Sequence, residues 1–265
     1  MAANTTASNN VAIGGNSPLD ANTTGDSNVA VGSGNCLGAN TTGANNVGIG
    51  NAALSLNTTA SKNIGIGTAA LEANTTGIQN VAIGFQSLDA NTTAANNTAV
   101  GNETMSSNTT GEQNAAFGAV AMILNTTGSY NTALGPYALK VNTTGANNTA
   151  VGYEAGDVVT TGSNNVLIGY DAGSDALGAI TTVSNYIMLG NNSTANAEIK
   201  VDWTVISDQR DKTDIETLPD NAGLNFVNQM RPVTYVFDNR DQYYPYGHAQ
   251  YGERDHSKKS TAKQV

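Results

Sequence analysis

The chain has 265 residues, of which only 12% are charged and 6% aromatic, and its net charge at pH 7 is -10. Charged residues are about a quarter of an ordinary soluble domain, so this composition argues against one or two compact globular domains. Lys62, Lys140 and Lys200 are the only cations before residue 201, where 11 Asp/Glu stand against them, which leaves no clustered charge to displace counterions from nucleic acid.

The N-terminus, MAANTTASNN, lacks a basic region followed by an apolar one, so no signal peptide is expected. No apolar run of about 20 residues is present either, so no membrane insertion is expected. A protein of this kind working outside a cell would leave by lysis or as part of a particle.

Asn-Thr-Thr then recurs at Asn4, Asn22, Asn40, Asn57, Asn74, Asn91, Asn108, Asn125 and Asn142, spaced by 18, 18 and then 17 residues. A tenth unit opens at Val159 and an eleventh at Ile180, after a four-residue insertion. Fixed periods of this length mark repeat architectures. Aligned, the units read N-T-T-G-x-x-N-φ-A-φ-G-x-x-A-L-x-x, with φ apolar or β-branched. Position seven is Asn from Asn10 to Asn165, and position eleven is Gly from Gly14 to Gly169 and again at Gly190.

Val-Ala-Ile-Gly, as at Val81 to Gly84, reads as a short strand closed by a corner. Alternation puts positions eight and ten on one face and the small position nine on the other. The expectation is that eight and ten supply the core and that nine admits another backbone or subunit. Each unit is expected to form one coil with about two short strands, stacked about 4.8 Å apart into a rod of about 50 Å. The position-seven Asn residues would stack as an amide ladder. So thin a core predicts burial between subunits, most simply in a homotrimer.

Cys36 is the only cysteine, so no intrachain disulfide forms. His248 and His256 lack the flanking ligands of a metal site, and neither metal nor cofactor is expected. The Asn-Thr-Thr triplets are formal N-glycosylation sequons, but Asn and Thr are also ordinary corner residues.

The recurring N-x-V-A-I-G element, as in Asn28 to Gly32 and Asn80 to Gly84, resembles the head repeats of trimeric autotransporter adhesins, which form parallel β-rolls. The resemblance covers residues 4–190, with a different period and without the membrane-anchoring barrel of those adhesins.

The repeat stops near residue 197. Ala197 to Ile206 reads as an extended strand alternating at Ile199, Val201 and Trp203. Ala222 to Met230 reads as a short helix, and Arg231 to Phe237 as another strand. Between them, Ser207-Asp208-Gln209-Arg210-Asp211-Lys212-Thr213-Asp214-Ile215, followed by the helix and Arg231-Pro232-Val233-Thr234-Tyr235, resembles the intramolecular chaperone at the ends of phage tailspikes and tail fibres, typified by endosialidases.

That resemblance implies fibre trimerisation and, in many members, self-cleavage before the Ser. Ser207 would be the nucleophile, Lys212 the general base and Ile206–Ser207 the scissile bond. A Ser hydroxyl needs a neighbouring base, and a Lys whose pKa is lowered by burial can serve. The later part of the family's domain has no counterpart before Val265, so a structural role for Ser207 and Lys212 stands beside self-cleavage.

The expected organisation is a β-solenoid shaft over 1–196, a connecting strand over 197–206, and the N-terminal part of a chaperone domain, a small α+β segment, over 207–265. The expected function is that of a trimeric phage tail fibre in the virion. Its partners would be a host-surface receptor, with glycan among the candidates, and other tail or fibre proteins. A bacterial surface adhesin or extracellular filament is the alternative, and a peptidase acting only on its own chain is the third reading.

Overall fold

A computed structural model describes residues 3–174 and 180–194. It contains eleven three-residue strands: β1 (Val11–Ile13), β2 (Val29–Val31), β3 (Val47–Ile49), β4 (Ile64–Ile66), β5 (Val81–Ile83), β6 (Thr98–Val100), β7 (Ala115–Phe117), β8 (Thr132–Leu134), β9 (Thr149–Val151), β10 (Val166–Ile168) and β11 (Ile187–Leu189). They form one parallel sheet in strict chain order. The register pairs like with like, Val81 with Thr98 and Ile83 with Val100, so each repeat is one coil of a β-solenoid. The stack lies in a compact unit spanning Met1–Glu198. The predicted strand over 197–206, the helix and the strand that follow it lie outside the described residues.

Each coil carries one strand and not the expected two. The rest of the coil is bends and turns, yet it is still tied to its neighbours. Leu54 N–H donates to Ala70 O at 3.0 Å and Thr41 N–H to Thr58 O at 2.8 Å, both one coil on, while Gly67 N–H donates back to Ile49 O at 2.8 Å. These bonds satisfy the backbone around the circumference, which a buried chain requires. A second strand is blocked by left-handed residues, among them Ala69 and Leu71 with φ of 57° and 54°.

The left-handed Leu is the main apolar filling of the interior. Leu19, Leu37, Leu54, Leu71, Leu88, Met105, Met122 and Leu139 occupy this place in successive coils, all with positive φ and all fully buried. A left-handed backbone costs about 1–2 kcal/mol, whereas burying a Leu or Met side chain returns about 1.5–3 kcal/mol. Burial wins, and the column persists.

This column reverses the expected sidedness of the strand. Position nine points inward: Ala30, Ala82, Ala99, Ala116, Ala133 and Ala150 are fully buried, while Ile13, Ile83, Phe117 and Ile168 at position ten are 59%, 37%, 42% and 42% exposed. The reason is space. A Cβ added to Gly65 at position nine would already lie 3.0 Å from Ala70 O and 3.2 Å from Leu54 Cγ. The interior therefore takes only Ala or Gly opposite Leu, and the branched residues are turned outward.

The glycine at position eleven is set by the same crowding between coils. Gly84 has φ +135°, and a Cβ there would lie 2.1 Å from Gly101 O.

Two columns of buried Asn complete the interior. The expected amide-to-amide ladder is continuous at position one, whereas at position seven amide-to-amide bonds form at two steps, Asn114 Nδ2 to Asn97 Oδ1 at 3.2 Å and Asn131 Nδ2 to Asn114 Oδ1 at 3.1 Å. Asn74 Nδ2 donates to Asn57 Oδ1 at 3.0 Å, and Asn91 Nδ2 to Asn74 Oδ1 at 2.9 Å. At position seven the amides bond chiefly to backbone. Asn63 N–H donates to Asn46 Oδ1 at 3.0 Å, and Asn63 Nδ2 donates to Gly77 O at 2.8 Å. Gly77 O also accepts from Asn74 Nδ2 at 2.9 Å, so one carbonyl joins both columns.

Candidate functional site

The coil builds three different surfaces. The first is the outer face of the sheet, carrying position eight (Val11, Val29, Val47, Ile64, Val81, Thr98, Ala115, Thr132, Thr149, Val166, Ile187) and position ten (Ile13, Val31, Ile49, Ile66, Ile83, Val100, Phe117, Leu134, Val151, Ile168, Leu189). Not one of these side chains is ionisable. The column at position ten is more than a third exposed at Ile13, Ile49, Ile83, Phe117, Leu134, Ile168 and Leu189, and more than half exposed only in the end coils, at Ile13 and Leu189.

The second surface is the Asn-Thr-Thr corner. Its first Thr is committed to structure: Thr41 Oγ1 donates to Thr58 O at 3.1 Å, and Thr75 Oγ1 to Thr92 O at 3.1 Å. The second Thr, as at Thr24 and Thr42, is exposed. The Asn of eight triplets, Asn22 to Asn142, is fully buried with its amide used inside the coil. Those eight sequons are closed to glycan attachment in the folded shaft.

The third surface follows the position-eleven glycine at the C-terminal end of the stack. Tyr153 and Tyr170 lie parallel, with centroids 5.8 Å apart and planes 11° from each other. Tyr137 meets Tyr153 edge-on at 5.7 Å, and Lys140 Nζ sits 5.3 Å from the Tyr137 ring centre. Because the Tyr153 and Tyr170 rings face each other, each has spent one face on its neighbour. The sequence held a signal for this row that the motif reading passed over: Gly152-Tyr153 and Gly169-Tyr170 stand one period apart.

The titratable groups of the described shaft do not converge on a catalytic arrangement. Burial pushes the Cys36 thiol up to about 11, against a smaller opposing backbone hydrogen bond from Val31, which leaves a thiol and not a reactive thiolate. Asp157 is raised by burial first and then by Asp171 and Glu154, with Lys140 opposing. Asp89 is raised by burial, with Glu72 and Glu103 adding to it. Among the described residues, no group of three or more His, Cys, Asp or Glu could hold a metal ion, and no helix is long and apolar enough to cross a membrane.

Ser207 and Lys212 lie outside the described residues, as does the Ile206–Ser207 bond. Their sequence context is what decides the assignment of this part of the chain. Residues 207–253 match the chaperone of endosialidase family. The C-terminal part of the chain is therefore similar to that chaperone domain over these residues, and the match begins at Ser207. No curated protein and no solved structure matches the chain.

Proposed function

We propose that the chain is a phage tail-fibre component: a homotrimeric β-solenoid shaft that reaches toward a host-surface receptor, with a C-terminal chaperone segment that assembles it. The observation carrying this reading is the order of the two parts. An eleven-coil stack is followed directly by a match to the chaperone of endosialidase family at residues 207–253, and a long coil with little interior is the kind of product that needs assistance in assembly. Coils bury their surface only against neighbours, so the early coils of such a rod have few partners until propagation starts.

Self-processing belongs to the same proposal. The Ser207 hydroxyl would attack the Ile206 carbonyl and pass its proton to Lys212, which returns it to the Ser207 nitrogen as the C–N bond breaks; water would then hydrolyse the Ile206 ester on Ser207 Oγ, leaving a carboxylate at Ile206 and releasing a fragment that starts at Ser207. The substrate is the chain itself.

Three measurements test the proposal. An antibody against residues 3–194 should label the tails of virions, and labelling of bacterial surfaces without virions would replace the fibre with an adhesin. Light scattering on the full chain should give the mass of three copies, and a monomer would overturn the trimer. Intact-mass analysis should find the fragment starting at Ser207 in the parent and not in Ser207→Ala, and full-length mass alone in both would overturn self-cleavage.

A further inference from the structure

We infer that the outer face of the sheet is the surface through which copies of this chain join, in parallel and in register, the position-ten column of one copy lying on the position-eight column of the next. The copy number rests on the trimeric reading above. The face and the register rest on the shaft itself.

The first ground is extent. Eleven rungs at about 4.8 Å make a strip about 50 Å long, and three extended residues with their flanking side chains make it about 15 Å wide, or about 750 Å². Apolar patches on monomers are ordinarily about 300–600 Å², and a stable interface takes about 800 Å² from each partner. The strip exceeds the first range, and the area a copy buries against its two neighbours together approaches the second.

The second ground is period. The side chains on this face repeat once per coil in exact step with the sheet register. A partner that covers all eleven rungs must carry the same spacing along the same length. A second copy does so rung for rung, whereas a small glycan or a globular surface meets a few rungs only.

The third ground is volume. Phe117 is the bulkiest residue of the position-ten column, and its own coil is the one in which position eight is Ala, at Ala115. The flanking coils pair Thr98 with Val100 and Thr132 with Leu134. When like coils lie at the same height around a shared axis, each Phe117 ring meets the gap above a neighbour's Ala115. Phe117 is 42% exposed, so its own coil does not cover it. Close-packed contacts require such matching of large to small.

The parallel arrangement also follows from the two-column layout. Around a three-fold axis along the rod, each copy offers one column to each neighbour, so position eight and position ten are both used. Back-to-back antiparallel copies would set Phe117 against rungs elsewhere in the stack and leave the Ala115 gap unfilled.

The test uses two separately tagged full-length chains, each with Cys36→Ala, co-expressed and oxidised. One carries Ala115→Cys and the other Phe117→Cys. The 115–117 disulfide should form at least ten times faster than one between Ala115→Cys and Leu134→Cys, which lies one coil away. Equal rates overturn the register. A trimer by light scattering with no 115–117 cross-link overturns this interface while leaving the trimeric reading intact, and a monomer overturns both. As an independent arm, Ile83→Lys should lower the mass to that of single chains with an unchanged circular dichroism spectrum, whereas Thr127→Asp at the Asn-Thr-Thr corner should leave the trimer whole. A trimer that survives Ile83→Lys speaks against the interface.

Discussion

Asn142 Nδ2 donates to Asn125 Oδ1 at 2.9 Å, but Asn142 Oδ1 receives no hydrogen bond, because the equivalent place one coil on is taken by Val159, fully buried among the apolar core. The inner amide ladder therefore has a defined end. From there the interior continues as Val159 and Ile180.

That end makes the cost of losing a rung depend on where the rung is. Asn91→Val should destabilise the shaft by about 2–3 kcal/mol, because it leaves Asn74 Oδ1 newly buried without a donor and removes the bond to Ala94 O. Asn142→Val should cost less by about 1 kcal/mol or more, since it eliminates one orphaned oxygen while creating another at Asn125. Chemical denaturation of both variants checks this, and equal losses would contradict the ladder.

Gly84→Ala should be among the most damaging single changes in the stack, at about 3 kcal/mol or more. The new methyl would meet the Gly101 carbonyl at 2.1 Å on a backbone at φ +135°, and neither the atom nor the angle can yield without disturbing the next coil. Thermal melting followed by circular dichroism is the readout, and an unchanged midpoint would refute the packing between coils.

The sidedness of the strand predicts opposite outcomes for neighbours in sequence. Ala99→Val, at a fully buried position, should cost about 1–3 kcal/mol by overpacking. Thr98→Val, on the outer face, should leave coil stability within about 0.5 kcal/mol. Were the expected arrangement of the two faces correct, Ala99→Val would be the harmless one.

Asp157 gives a pH signature. Burial, with Asp171 and Glu154 behind it, raises its carboxyl above the ordinary range, so the folded chain holds that proton more tightly than the unfolded one. Stability from this group is present at low pH and is lost as pH rises from the unfolded pKa through the higher folded value. Asp157→Asn should therefore raise the melting midpoint at pH 7 and give no gain near pH 3, where the parent is already neutral. A gain of the same size at both values would point to a different cause.

Much of the shaft can be read from its amino acids. The period, the strand at positions eight to ten and the corner glycine are local properties: β-branched residues favour extended backbone, and a +135° φ at Gly84 needs a residue without Cβ. The family resemblance at Ser207 to Ile215 was equally legible, because it is carried by a linear motif, and the match over residues 207–253 begins at the same serine. The roles of Ser207 and Lys212 remain proposals to be tested by mass.

Three things were settled only by the folded chain, and each depends on residues brought in from elsewhere. Alternation at Val81, Ala82 and Ile83 defines two faces without saying which is inside; Leu71 and Leu88, fully buried, occupy the interior and leave room only for Ala82. The expected second strand gave way to a left-handed turn because burying those same Leu side chains outweighs their backbone strain. The continuity of the amide ladder at position one was decided by geometry across the stack, which brings Asn74 Nδ2 within 3.0 Å of Asn57 Oδ1, while position seven meets chiefly backbone and links amides only from Asn97 to Asn131. Sequence fixes the repeat because it acts through neighbours in the chain, whereas the direction each side chain faces is set by competition for one narrow interior.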